Sequence, residues 1–212
     1  MDRALIHAAT AQERRKIADL LDELDEAQLA TQTLCAGWDV KTMGAHLVST
    51  LADGILRMTL LAARRRGNSD VAQDEIARRW ALLPTPEITA RLRDLADGSY
   101  FRPPPVAPGL LTEILVHCGD IRIPLGLPFE PDPQLTAAAL DFLTGPVPIG
   151  FMPLGRLRGL RVHATDLNRT WRDGAEVRGP AAALMMAVVG RTAVFDQLDG
   201  PGLPLLRRRI SA

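Results

Sequence analysis

Residues 40–61, VKTMGAHLVSTLADGILRMTLL, carry an apolar side chain at every third or fourth position. The repeat consists of Val40, Met43, Leu47, Leu51, Ile55, Met58 and Leu61. This spacing places the apolar side chains on one face of an α-helix, and it predicts a long helix over residues 39–65. Arg64–Arg66 suit the last turn of that helix, because cationic side chains are favoured near a helix C-terminus.

The chain on either side of this helix follows the same helical pattern as far as residue 143. Residues 11–29 form a predicted amphipathic helix, and His7 precedes it in a segment that we expect to fray. Further helices are predicted after the long one, over residues 72–82, 85–97, 110–121 and 132–143. The four prolines between Phe101 and Pro108 interrupt the series and indicate a connector.

The composition changes after residue 143, where glycine and proline become frequent. Leu160–Thr165 alternates as a β-strand does, and Arg172–Ala175 has the composition of a hairpin turn. Residues 180–198 predict one more helix, and Leu203–Ile210 a last strand. We therefore predict a mainly α protein, with a helical bundle over residues 1–143 and a small α+β domain over residues 150–212.

Length and charge exclude some classes of protein. The 212 residues are enough for one large domain or two smaller ones, and 25 basic side chains balance 25 acidic ones. A dedicated nucleic-acid binder would carry a basic excess, so we expect no nucleic-acid partner. The N-terminus lacks an apolar segment of signal-peptide length, and the longest apolar run is too short to span a membrane. We expect a cytoplasmic protein with no membrane partner and with Cys35 and Cys118 reduced.

Glu113 and His117 are the first candidates for chemistry. They are four residues apart on a predicted helix, so their Cβ atoms lie about 5–6 Å apart on one face. A carboxylate oxygen and an imidazole nitrogen at this separation can reach one divalent cation. His46 lies on the long helix beside Gly44 and Ala45, whose small side chains permit a close helix neighbour. If the two helices pack antiparallel, these three ligands converge and leave a coordination position open, as in catalytic zinc sites.

The same residues also permit simpler interpretations. A Glu–His pair of this spacing is commonly a surface pair, and a histidine on an apolar face is commonly a hydrogen-bonded core residue. Asp120 follows His117 by three residues and can orient a ligand histidine by accepting a hydrogen bond from it. Alternatively, Asp120 pairs with Arg122 at the end of the helix.

Two segments carry motifs of recognisable composition. The first is LCAGWDV at residues 34–40, leading to the Ala45-His46-Leu47 triplet. The second is EILVHCGDIRIPLG at residues 113–126. Both segments resemble the mycothiol-dependent maleylpyruvate isomerase family, a branch of the DinB-like metal-binding bundles. The C-terminal third is similar to the family's small domain, through Trp171, Gly190-Arg191 and the Leu198-Asp199-Gly200 triplet.

This resemblance implies a DinB-like four-helix bundle with an appended small α+β domain. It implies a divalent metal, typically zinc, held by His46, Glu113 and His117. It also implies mycothiol or another low-molecular-weight thiol as cofactor, activated by the metal for cis–trans isomerisation. Arg191 resembles a family position that can hold a substrate carboxylate.

We therefore expect a metalloenzyme of the thiol-dependent isomerase or thiol S-transferase type. Two alternatives stay open: a metal-dependent hydrolase or lyase on the same bundle, and a non-catalytic binding or regulatory protein that a metal stabilises. Residues 144–212 hold ten arginines and five acidic residues, an excess of five positive charges, which favours a small anionic substrate. We expect a monomer or a small homo-oligomer.

Overall fold

A computed structural model describes residues 2–53, 64, 68–101, 107–146, 148 and 150–211. The described residues form two compact units. The first unit comprises those within Asp2–Pro103 and Asp120–Leu127, and the second those within Pro104–Gly119 and Pro128–Ala212. The predicted division into residues 1–143 and 150–212 stays a prediction.

The first unit is helical. Its elements are α1 (Arg3–Glu23), α2 (Glu26–Leu29), α3 (Val40–Ala52), α4 (Ser69–Trp80), α5 (Thr85–Asp94) and a 3-10 helix (Ala96–Phe101). Helix α1 packs against α5 and the 3-10 helix, and α3 packs against α4 and α5. The largest fully buried side chains of these helices are Ile17, Leu21, Met43, Ile88 and Leu92.

Gly44 permits the close approach of α3 to its neighbours. A Cβ atom at this position would lie 2.6 Å from Leu21 Cδ1 of α1 and 3.8 Å from Ile88 Cγ2 of α5. Ala45, the next residue, is fully buried. The prediction that small side chains beside His46 allow a close helix neighbour is therefore confirmed.

Two predictions about the first unit need correction. Helix α1 begins at Arg3 rather than near residue 11, so His7 lies within the helix and is only 6% exposed. The apolar face of α1 extends towards the N-terminus through Ile6, which is why the helix starts earlier. Helix α3 is described to Ala52. The rest of the predicted helix, residues 54–63 and 65–67, lies outside the described residues.

The second unit combines helices with a small sheet. Its elements are α6 (Ala107–Arg122), α7 (Pro133–Leu143), β1 (Leu160–Ala164), β2 (Arg169–Trp171), β3 (Ala175–Gly179), α8 (Ala181–Val188), a 3-10 helix (Thr192–Gln197) and α9 (Leu203–Ser211). Helix α6 belongs to this unit as far as Gly119, and its last residues belong to the first unit. Helix α8 contacts β1, β3 and α7. Its residues Ala183–Val188 are all buried, so it forms the centre of this unit.

The sheet has the order β2-β1-β3. Strand β1 pairs antiparallel with β2, and it pairs parallel with β3. The prediction of a hairpin turn at Arg172–Ala175 is wrong, because β2 and β3 are not neighbours. A hairpin instead joins β1 to β2, and Ala164 of β1 pairs with Arg169 of β2.

The predicted strand at Leu203–Ile210 is also wrong, because this segment is helix α9. Pro204 suits the first turn of a helix, where its missing N–H group is not needed. Leu203, Leu206 and Ile210 recur at helical spacing, and Leu206 is fully buried. Tertiary contact on one face thus determines the helix.

The expected fold class, mainly α with a small C-terminal α+β part, is confirmed. Within the described residues, no helix combines the length and the apolar character that a membrane span requires.

Candidate functional site

His46 lies in the second turn of α3 and is 3% exposed. The side chain of Asp39 caps this helix by accepting a hydrogen bond from the Thr42 N–H at 2.7 Å. The His46 ring faces the indole of Trp38, with the ring centroids 4.7 Å apart and the planes tilted by 44°. The helix start therefore delivers a buried imidazole next to an aromatic surface that limits its exposure to water.

Hydrogen bonds from α4 hold Trp38 in this position. The Trp38 Nε1–H group donates to Asp74 Oδ1 at 2.8 Å, and Arg78 Nε donates to the same oxygen at 2.9 Å. Arg78 also donates from Nη2 to the carbonyl oxygen of Gly37 at 2.9 Å. The Arg78 guanidinium and then the Trp38 indole hold the pKa of Asp74 below its ordinary value, because both stabilise the carboxylate. These contacts orient the ring that His46 touches.

The loop before α3 is fixed by its own hydrogen bonds. The Thr33 hydroxyl and the Gln32 side-chain amide donate to the Trp38 carbonyl at 2.8 and 2.7 Å. Gly37 has φ +82°, a left-handed conformation that costs glycine little and other residues more. The loop therefore presents Trp38 from a rigid turn.

Sequence reasoning missed Asp74 and Arg78. Their spacing of four residues on one helix is typical of an ordinary surface ion pair. The tryptophan that Asp74 binds is 36 residues away in sequence. No local pattern indicates that partner, because only the packing of α3 against α4 brings it near.

Glu113 and His117 lie on helix α6, which spans Ala107–Arg122, and both are half-buried. Their spacing of four residues puts them on one face of this helix, as predicted. The helix itself is thus compatible with a shared cation, although it starts at Ala107 rather than at residue 110. Pro108 stands in its first turn, where a missing N–H group is tolerated.

Asp120 lies near the end of α6 and is completely buried. Its Oδ2 accepts a hydrogen bond from the Cys35 thiol at 3.3 Å, and its carbonyl oxygen accepts one from the Leu34 N–H at 3.2 Å. The expected orienting contact with a ligand histidine stays a prediction. The thiol of Cys35, which we expected to be reduced, thus acts as a hydrogen-bond donor.

Residues 10–100 match the model of one protein family, the mycothiol maleylpyruvate isomerase N-terminal domain. Over this segment the chain is similar to the mycothiol maleylpyruvate isomerase family, as the sequence predicted. Of the predicted site residues, His46 lies within the matched segment, together with Cys35 and Trp38. Glu113, His117, Asp120 and Arg191 lie outside it. No curated protein matches the chain.

Two solved structures share the fold of this chain. One is the crystal structure of the mycothiol-dependent maleylpyruvate isomerase, with 18% sequence identity and a TM-score of 0.62. The structural match covers 95% of this chain and 93% of the chain in that crystal structure. The other is a histidine-to-alanine mutant of that enzyme, with 17% identity and the same TM-score and coverage. At this identity, the likeness establishes the fold.

The remaining predicted site residue, Arg191, lies in the second unit. It directly precedes the 3-10 helix Thr192–Gln197, and its Nη1 lies 3.4 Å from the carbonyl oxygen of Val189. It is half-buried. Its role as a substrate anchor stays a prediction.

The other two histidines lie beside charged side chains. His7, buried in α1, accepts a hydrogen bond from Arg3 Nε at 3.3 Å. Burial, followed by the charges of Arg3 and Arg14, lowers the pKa of His7. His163 lies in β1 with its Nδ1 3.4 Å from Glu176 Oε2. It is half-buried, as expected for a strand residue of this sheet.

Proposed function

We propose that the chain is a mycothiol-dependent metalloenzyme of the isomerase or thiol S-transferase type. His46, Glu113 and His117 bind the divalent metal in this proposal. The observation that carries it is the buried imidazole of His46, held against Trp38 inside the segment that matches the isomerase N-terminal domain. The shared fold with the mycothiol-dependent maleylpyruvate isomerase supports the thiol cofactor.

The chemistry of the donor set fits a metal of the zinc type. His46 and His117 each offer a ring nitrogen, and Glu113 offers a carboxylate oxygen. Two imidazoles and one carboxylate are a common ligand set of catalytic zinc, in which a further position stays open. The aromatic ring beside His46 adds an apolar surface, which strengthens electrostatic attraction to a cation.

A bound divalent metal would lower the pKa of a thiol, so that the thiolate exists at neutral pH. The protein residues do the remaining work. Trp38 limits the access of water to His46, and Asp120 orients a ligand. Arg191 holds a carboxylate of a small anionic substrate, because a guanidinium matches a carboxylate with two parallel hydrogen bonds.

Metal content tests the ligand set. We expect the purified protein to retain about one zinc ion per chain, measured by mass spectrometry after dialysis. His46→Ala and His117→Ala should lose the metal, whereas Cys35→Ser should keep it. His163→Ala is the matched control, because it removes an imidazole that is not among the proposed ligands. A wild-type protein that holds no metal would refute the proposal, and equal metal loss in His163→Ala or Cys35→Ser would refute this assignment of the ligands.

Calorimetric titration with mycothiol tests the cofactor. We expect binding to the zinc-loaded wild type and none to His46→Ala. Metal without mycothiol binding would favour hydrolase or lyase chemistry, in which the metal activates water. Removal of the metal with a chelator tests the alternative of a non-catalytic protein that a metal stabilises. Unfolding of the chain on metal removal would favour that alternative.

A further inference from the structure

The second unit contains an open cavity at the chain segment that leads from α7 to β1. Its volume, with the open solvent at its mouth included, is about 350 Å³. The described lining residues come from this segment, between Leu143 and Leu157, and from Arg172 after β2. Two of these described residues are arginines, Arg156 and Arg172, and none of them is acidic. The cavity is therefore a basic one.

Arg156 contributes a cation with unused hydrogen-bonding capacity. Its Nη1 lies 3.3 Å from the carbonyl oxygen of Val188, the last residue of α8. Its Nε atom is buried and has no hydrogen-bond partner among the described residues. A buried donor without a partner costs free energy, because its hydrogen bond to water is lost and not replaced. A ligand that accepts this hydrogen bond would recover that cost.

The charge around Arg156 is also uncompensated. Burial, followed by the positive charge of Arg191, lowers the pKa of Arg156. Neither Arg156 nor Arg172 forms an ion pair with a described residue, whereas Arg169 and Arg178 of the same unit do. A negatively charged group in the cavity would therefore be attracted without competition from a protein carboxylate.

Arg172 holds its position at a conformational cost. Its φ is +62°, in the left-handed region that few residues other than glycine adopt. Its Nη1 donates to the carbonyl oxygen of Thr144, at the end of α7, at 2.9 Å. This contact uses one of the five N–H donors of a guanidinium. The side chain is exposed, and it lines the cavity.

We propose that this cavity binds an oxyanion, a carboxylate or a phosphate of a small ligand, through the guanidinium groups of Arg156 and Arg172. One Nη1 group of each arginine contacts a carbonyl oxygen at the end of a helix, which is a structural role. That role accounts neither for the buried Nε–H group of Arg156 nor for the lack of acidic residues among the described lining residues. None of the proposed metal ligands lines this cavity, so anion binding can be tested on protein without metal.

The test uses the full-length chain and two simple probes, inorganic phosphate and acetate, at constant ionic strength. Side-chain NMR follows the arginine Nε–H resonances, and Arg156→Lys identifies the one that belongs to Arg156. We expect this resonance to shift and saturate during titration with at least one probe. The probe that binds more tightly indicates whether the ligand group is a phosphate or a carboxylate.

Affinity in matched variants assigns the site to both arginines. Arg172→Gln should weaken binding of the better probe about tenfold, as expected for the loss of one charge-assisted contact. Arg158→Gln is the control, since Arg158 is an exposed arginine of the same segment that does not line the cavity. Its affinity should match that of the wild type. Failure of both probes to shift the Arg156 resonance, or equal affinity in Arg172→Gln, would overturn the proposal.

Discussion

Replacement of Gly44 by alanine tests the close packing that positions α3. A Cβ atom at this position would lie 2.6 Å from Leu21 Cδ1, more than 1 Å inside the usual contact distance of about 3.5–4.0 Å between carbon atoms. Leu21 is 1% exposed, so its side chain has no route to solvent. Either Leu21 changes rotamer or α3 moves away from α1, and the second response would displace His46.

Two opposing contributions determine the size of the effect. Alanine stabilises a helix interior by about 1 kcal/mol relative to glycine. Overpacking of a well-packed core costs about 1–3 kcal/mol. We therefore expect Gly44→Ala to lower the free energy of unfolding by about 1 kcal/mol, which corresponds to about 2–4 °C in Tm for a chain of this size.

Urea unfolding of the wild type and of four variants measures this effect. Gly98→Ala is the control, because a Cβ atom there would meet no atom within 4 Å. The Leu21→Ala background should reverse the sign: without the Leu21 methyl groups, Gly44→Ala should raise the free energy of unfolding by about 1 kcal/mol. An equal effect of Gly44→Ala with and without Leu21 would refute close contact between α1 and α3.

Three further predictions concern the surroundings of the site and the sheet. Trp38→Phe should lower the free energy of unfolding, measured in urea, by about 1 kcal/mol, because the hydrogen bond from the indole N–H group to Asp74 is lost. The pKa of Asp74 is lowered in the folded state, so its carboxylate stabilises the fold above the unfolded-state pKa, and this contribution is lost as the pH falls. Asp74→Asn should therefore be less stable at neutral pH and lose less stability on acidification, measured by Tm against pH. Gly174→Ala should cost about 3 kcal/mol or more by urea unfolding, because φ is +138° and the added Cβ would overlap the carbonyl oxygen of Gly159; a wild-type value would contradict the geometry of this bend.

The helices were the most predictable part of the fold. The predicted helix over 132–143 corresponds to Pro133–Leu143, because a capping aspartate and a proline mark its start. The bounds of α1 were less predictable, because the apolar spacing at its N-terminus is weak, and burial of Ile6 and His7 extends the helix. The strand predicted at Leu203–Ile210 failed because a short apolar pattern fits either structure until a neighbour buries one face.

The candidate site divides in the same way. His46, Glu113 and His117 could be named from the sequence, because metal ligation requires particular side chains and the spacing of four on a helix is a local property. The link from Arg78 through Asp74 to Trp38 could not be named, because its members come from different helices. The oxyanion cavity was equally hidden, since Arg156 and Arg172 are separated by the strands β1 and β2.

The sequence alone determined the mainly helical class, the capping of individual helices and the residue types available for a metal. These properties depend on side-chain spacing and on chemistry within a few residues. Only the tertiary structure decided the strand order β2-β1-β3, the contact of Trp38 with His46 and the burial of Asp120 against Cys35. Such features depend on which distant segments meet, and the free energy of that packing is not encoded in any local pattern.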